Sequence, residues 1–145
     1  MDISYLLTPF AAWLVAGISK FLINSLRAGQ LAFSLIGYGG LPSNHSAIVS
    51  STATLIALRE GIQHPAFAVA LTLAFIVMLD ANSLRRQIGR QAEVINRLQA
   101  GMFPADAVPA LRERIGHTRT EIAAGILAGS GVAWLVWQMQ PWLMR

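Results

Sequence analysis

The chain has 145 residues, of which 54% are hydrophobic and only 12% charged, with a mean hydropathy of +0.52 and a formal net charge of +4. Soluble domains carry about twice that charged fraction, so an ordinary water-soluble globule is excluded and a bilayer is the simplest partner for the surplus apolar surface. The lack of cysteine excludes disulfides, thiolate nucleophiles and cysteine-ligated metals, and the length allows one domain, residues 1–145.

The first apolar stretch runs from about Ser4 to Asn24, long enough for a membrane span of about 20 residues. Met1-Asp2-Ile3-Ser4 has no basic character and no convincing cleavage site follows, so the stretch reads as a retained span and not as a signal peptide. Between Ala28 and Gly40 lies a shorter apolar run, Leu31 to Ile36, expected to be interfacial or re-entrant. The second helix is expected from about Ser46 to Leu58. Its length and its Ser50, Ser51, Thr52 and Thr54 suit packing inside a bundle.

Pro65 is placed to open the third helix, which is strongly apolar from Phe67 to Leu79 and meets its first charge at Asp80. From Asp80 to Leu98 the pattern turns amphipathic, with Leu84, Ile88, Ala92 and Ile95 at helical spacing among arginines. This predicts a continuation of the third helix out of the membrane, ended by Gly101, Pro104 and Pro109. The fourth span is expected from Ile122 to about Trp142. Gly125, Gly129 and Gly131 suit close helix contact, and Trp134, Trp137 and Trp142 suit an interfacial belt. The predicted fold is an all-α integral membrane bundle of about four transmembrane helices, with an amphipathic cytoplasmic extension of the third.

If four helices cross, the first and third connections share a side that holds nine of the eleven basic residues. The positive-inside rule makes that side cytoplasmic. The arginine-rich extension is expected to face anionic lipid and not nucleic acid.

The same face collects the chemistry. Lys20 and Arg27 leave the first helix, and His45 enters the second. Asp80, Arg85 and Arg86 leave the third, while Arg112, His117 and Glu121 precede or open the fourth. Cations neutralise phosphate oxygens as charge spreads in a phosphoryl transition state. One imidazole can attack phosphorus while a second protonates the leaving oxygen, and a carboxylate can orient the first. His117 and Glu121 stand four apart, the spacing of helical neighbours. Taken singly, each residue also has a plain structural use. His45 could cap the second helix beside Ser43 and Ser46. Thr118 and Glu121 form a capping-box pattern next to His117, and His64 reads as an ordinary loop residue.

Together these residues resemble the type 2 phosphatidic acid phosphatase superfamily, to which the vanadium haloperoxidases are related, and in particular its small divergent bacterial and plant branch. Lys20 and Arg27 keep the spacing of its first motif. Pro42-Ser43-Asn44-His45 resembles the second, with Asn44 in place of glycine, and His117 with Glu121 resembles the end of the third, with Glu for Asp. The segments 80–89 and 111–118 are similar to the divergent branch. Arg27 is followed by Ala28 where proline is usual, and Arg112 precedes His117 by five positions where six is usual.

The resemblance implies a metal-independent, cofactor-free membrane phosphatase acting on a lipid phosphate monoester or diphosphate, phosphatidylglycerophosphate-like or polyprenyl-phosphate-like. His117 would be the nucleophile, His45 the general acid and Glu121 the orienting carboxylate. Lys20, Arg27, Ser43 and one of Arg112, Arg85 or Arg86 would hold the phosphate, with Asp80 and Asn44 as accessories. The expected setting is a bacterial inner membrane with the site at its cytoplasmic face, with a lipid substrate, no nucleic acid and homo-oligomerisation left open. The rival readings are a non-catalytic anionic-lipid scaffold and a transporter of a phosphorylated lipid.

Overall fold

The computed structural model describes residues 3–31, 40–104 and 107–143, with side chains through Met139. Of the interfacial segment expected from Leu31 to Ile36, all but Leu31 lies outside the described residues, as does the Trp142 side chain. Helices carry the described architecture: α1 (Ser4–Ala28), α2 (Asn44–Glu60), α3 (Pro65–Leu79), α4 (Arg85–Met102) and α5 (Arg119–Leu143). A single π-helical turn, Asp80–Leu84, joins α3 to α4 without a break.

Each boundary has a local cause. Gly29 ends α1 in the left-handed conformation, φ 64°, that glycine adopts without steric cost. Ser43 caps α2 by accepting the Ser46 N–H at 3.3 Å. His64 caps α3 through its ring, accepting the Ala66 N–H at 3.2 Å, and Pro65 occupies the first helical position. His64 is therefore a cap and not the plain loop residue expected. Thr118 and Glu121 close a reciprocal capping box at the start of α5: the Glu121 N–H donates to Thr118 Oγ1 at 3.2 Å, and the Thr118 N–H donates to a Glu121 carboxylate oxygen at 3.0 Å.

Among the described residues, three stretches are long and apolar enough to cross a membrane: Ser4–Ala28, Pro65–Met102 and Arg119–Met139. The 38-residue second stretch would be about 57 Å long, nearly twice a hydrocarbon core of about 30 Å, so its amphipathic end must project beyond it. The 17-residue α2 is shorter, about 25 Å, and sits in the middle of the bundle against α1, α3 and α5. The expectation of an all-α membrane bundle holds, with three helices of spanning length around a short inner one.

The distribution of side chains is the reverse of a soluble protein's. Leu6, Phe10, Trp13 and Leu14 of α1 and Leu71, Phe75 and Ile76 of α3 face outward, whereas Ala12, Ala16, Ala47, Ala74 and Ala133 fill the interior. Lipid satisfies the large outer residues, and small inner ones let backbones approach. The closest approach is between α2 and α5. A Cβ on Gly125 would fall 2.4 Å from the Ser43 carbonyl oxygen, and one on Gly129 would fall 2.2 Å from that of Ala47. Gly131, grouped with them by sequence, meets nothing within 4 Å. Thr54 and Ser130 hydroxyls, 3.0 Å apart, join the same two helices further along.

Candidate functional site

The site is assembled at the end of the bundle where α1 and α3 finish and α2 and α5 begin. Two backbone hydrogen bonds seat the third motif, one against the second motif and one against the end of α3. The Ser43 N–H donates to the Glu121 carbonyl at 2.9 Å, and the His117 N–H donates to the Ala81 carbonyl at 2.9 Å.

The second bond depends on the π turn. The Arg85 N–H reaches back five residues to the Asp80 carbonyl instead of four to Ala81, and the Ala81 carbonyl accepts from His117. π turns of this kind are frequent where a helix serves a site. Gly116 fits the segment under the turn: its φ of 95° favours glycine, and a Cβ there would lie 2.9 Å from the Arg86 backbone nitrogen.

His117 and His45 come together with ring centroids 5.8 Å apart and ring planes tilted by 58°. His117 is buried, and its Nδ1 lies 3.1 Å from Glu121 Oε2, the same carboxylate oxygen that accepts the Thr118 N–H. A carboxylate only accepts, so Nδ1 carries the hydrogen and Nε2 keeps its lone pair. Burial pushes His117 below its ordinary pKa against the opposing pull of Glu121. His45 is also held below the usual histidine value, first by burial and then by Arg85, His117 and Lys20, with Asp80 pulling the other way.

Arg85 is the arginine that reaches the histidines. Its Nη1 lies 3.3 Å from His45 Nε2, and its Nε donates to Asp80 Oδ2 at 2.9 Å. Asp80 thus pairs with an arginine, and that arginine is five residues away because of the intervening π turn. Lys20 stands within electrostatic range of Glu121, His45 and His117. Ser43, fully buried, spends its hydroxyl on the Ser46 N–H and accepts the Ser46 hydroxyl at 3.1 Å. Asn44 turns toward α1, where a Cβ on Gly17 would be 3.8 Å from its Nδ2.

The remaining expected cations lie elsewhere. Arg27 is exposed, about 10 Å beyond Lys20 along α1. Arg86 is exposed, with its stem against Gly116. Arg112 sits on an extended strap running back along α4. Its neighbour Leu111 exchanges hydrogen bonds with Asn96, and the Glu113 carbonyl oxygen lies 2.3 Å from where a Gly89 Cβ would be. Those anchor points are about 22 and 12 Å up the helix from Ala81, so Arg112 is held away from the histidine pair.

Residues 1–132 match the family described as the Divergent PAP2 family. The chain belongs to that family. It is also 37% identical over 138 residues to the uncharacterized membrane protein YuiD of Bacillus subtilis (strain 168), an alignment covering 86% of this chain and 87% of that protein. No solved structure matches it. The three apolar stretches of spanning length agree with membership of the Divergent PAP2 family and with a membrane-protein relative.

Proposed function

We propose that the protein is a lipid phosphatase that hydrolyses a phosphate monoester or diphosphate through a phosphohistidine. The observation that carries this reading is the pair of neighbouring imidazoles, ring centroids 5.8 Å apart, with Glu121 bonded to Nδ1 of one of them. The lone pair on His117 Nε2 attacks the terminal phosphorus, the bond from that phosphorus to the leaving oxygen breaks (the lipid oxygen of a monoester, the bridging oxygen of a diphosphate), and that oxygen takes a proton from His45. Water then attacks phosphorus and gives a proton to the neutral His45, the phosphorus–nitrogen bond breaks with its electron pair returning to His117 Nε2, and inorganic phosphate leaves.

Lys20 and Arg85 supply the charge that steadies the nonbridging oxygens. Without substrate, Arg85 donates to His45 Nε2. An arriving phosphate gives Arg85 a better acceptor and raises the proton affinity of His45, arming it as the acid. Glu121 is a positioning residue for His117, and Asp80 is one for Arg85. Placing the site at the cytoplasmic face of a bacterial inner membrane rests on the clustering of basic residues at this end.

A second reading, an anionic-lipid-binding scaffold without turnover, is favoured by the distance of Arg112 from the histidines. Phosphate release from lipid phosphates by the purified protein, with and without vanadate, separates the two. Vanadate-sensitive turnover is expected from the phosphatase, and lipid binding without turnover from the scaffold.

A further inference from the structure

α3 and α5 both pack on α2 but scarcely on each other, and a groove of about 270 Å³ lies between them. Its walls are Phe75, Met78 and Leu79 from α3 and Ile122, Ala123 and Ile126 from α5. Both helices belong to stretches of spanning length, so the groove faces the hydrocarbon of the bilayer. Its polar end is formed by Asn82 and Arg119. Asn82 follows Ala81 and Arg119 lies two residues after His117, so this end borders the hydrogen bond that seats the histidine. The buried Asn82 Oδ1 has no hydrogen-bond partner among the described residues.

We propose that this groove holds a hydrocarbon chain of the lipid phosphate, with Arg119 at its polar end drawing the head-group oxygens toward His117. The proposal rests on the phosphatase reading for the fate of the head group, but it is a statement about binding. The volume is below the roughly 300–1,000 Å³ of pockets that enclose drug-sized ligands, which suits part of one chain and not a whole lipid. A cation and an unpartnered acceptor at one end, with apolar walls beyond, complement an anionic head group carrying a hydroxyl and a chain.

The test uses the full chain in nanodiscs of a zwitterionic lipid, doped with a lipid phosphate monoester carrying a photoactivatable diazirine midway along its chain. Adducts are expected on the peptides bearing Phe75 to Leu79 and Ile122 to Ile126, in preference to the exposed Leu6, Phe10 and Trp13 face of α1. Filling the groove with Ala123→Trp, or from the other wall with Met78→Trp, should cut those adducts about tenfold, the scale on which pockets discriminate by size. Leu127→Trp, on an exposed position outside the groove, should not. Arg119→Ala should remove the preference for the phosphate probe over the same lipid with a neutral head group. Equal labelling of α1 and the groove, indifference to both tryptophans, or protein-to-protein adducts would overturn the proposal. Phosphate release is measured on the same samples. Groove-specific labelling without turnover would sink the phosphatase reading and leave the lipid groove standing.

Discussion

The Ser43 N–H donates to the Glu121 carbonyl at 2.9 Å, so the residue that caps α2 is tied to the residue that orients His117. One short bond between α2 and the start of α5 sets the spacing of the two imidazoles. It is possible only because Gly125, one turn further along α5, lets the Ser43 carbonyl approach.

Gly125→Ala should therefore damage both stability and activity. The added Cβ has backbone, not a flexible side chain, 2.4 Å away, and overpacking of this sort costs about 1–3 kcal/mol. Thermal unfolding in detergent should show a lowered midpoint for Gly125→Ala and Gly129→Ala. Gly131→Ala, with open space around it, should unfold at or slightly above the parent temperature.

Glu121→Gln separates the two jobs of that side chain. Glutamine can still close the capping box with Thr118, so helix stability should change by less than about 1 kcal/mol. It no longer bears the charge that stabilises the imidazolium and fixes its tautomer, and kcat should fall by about 10³- to 10⁴-fold. Loss of stability in parallel with activity would reduce Glu121 to a cap.

Among the arginines, the geometry predicts a split. Arg85→Ala removes the cation bonded to His45 and should lower kcat/KM by at least about a hundredfold, the scale of a lost charge-stabilising contact. Arg112→Ala, on the strap beside α4, should change it by less than threefold, within the small energies typical of exposed sites. Kinetics on one lipid phosphate with both variants decides this.

The pH profile follows from burial. If His117 is the nucleophile, as proposed, it works neutral, and its neutral fraction rises above a pKa pushed below the ordinary 6.5, so the acid limb lies under that value. In the proposed role of acid His45 works protonated, and its own pKa is also pushed below 6.5 in the free protein. The maximum of kcat/KM should therefore fall on the acid side of pH 6.5, whereas one above pH 7 would contradict the assignment. Asp80→Asn removes the group that raises His45 and should move the basic limb lower. The unfolded chain binds more protons at these two histidines than the folded one just below pH 6.5. Their contribution to stability is thus full above that pH and is lost as pH falls through the folded values.

Much of this was legible from residue patterns, and the exceptions have physical causes. Pro65, the Thr118–Glu121 box and the apolar runs mark their helices because each acts through its neighbours in the chain. The pairing of Arg85 with Asp80 and His45 was hidden among Arg85, Arg86 and Arg112. A π turn adds a residue and rotates everything after it, so spacing across Asp80–Leu84 does not reveal which arginine faces inward. Gly131 looks like Gly125 in the sequence, but close contact is a property of the opposing helix. The groove between α3 and α5 left no mark, since its walls read as any lipid-facing surface.

The central claim is the phosphohistidine on His117. Rapid quenching of the protein with a lipid phosphate radiolabelled in the phosphoryl group should trap an acid-labile, base-stable adduct on the peptide bearing His117. The adduct should be absent in His117→Ala, which should also lack turnover. Undiminished phosphate release by His117→Ala, or label found on another residue, would contradict the account.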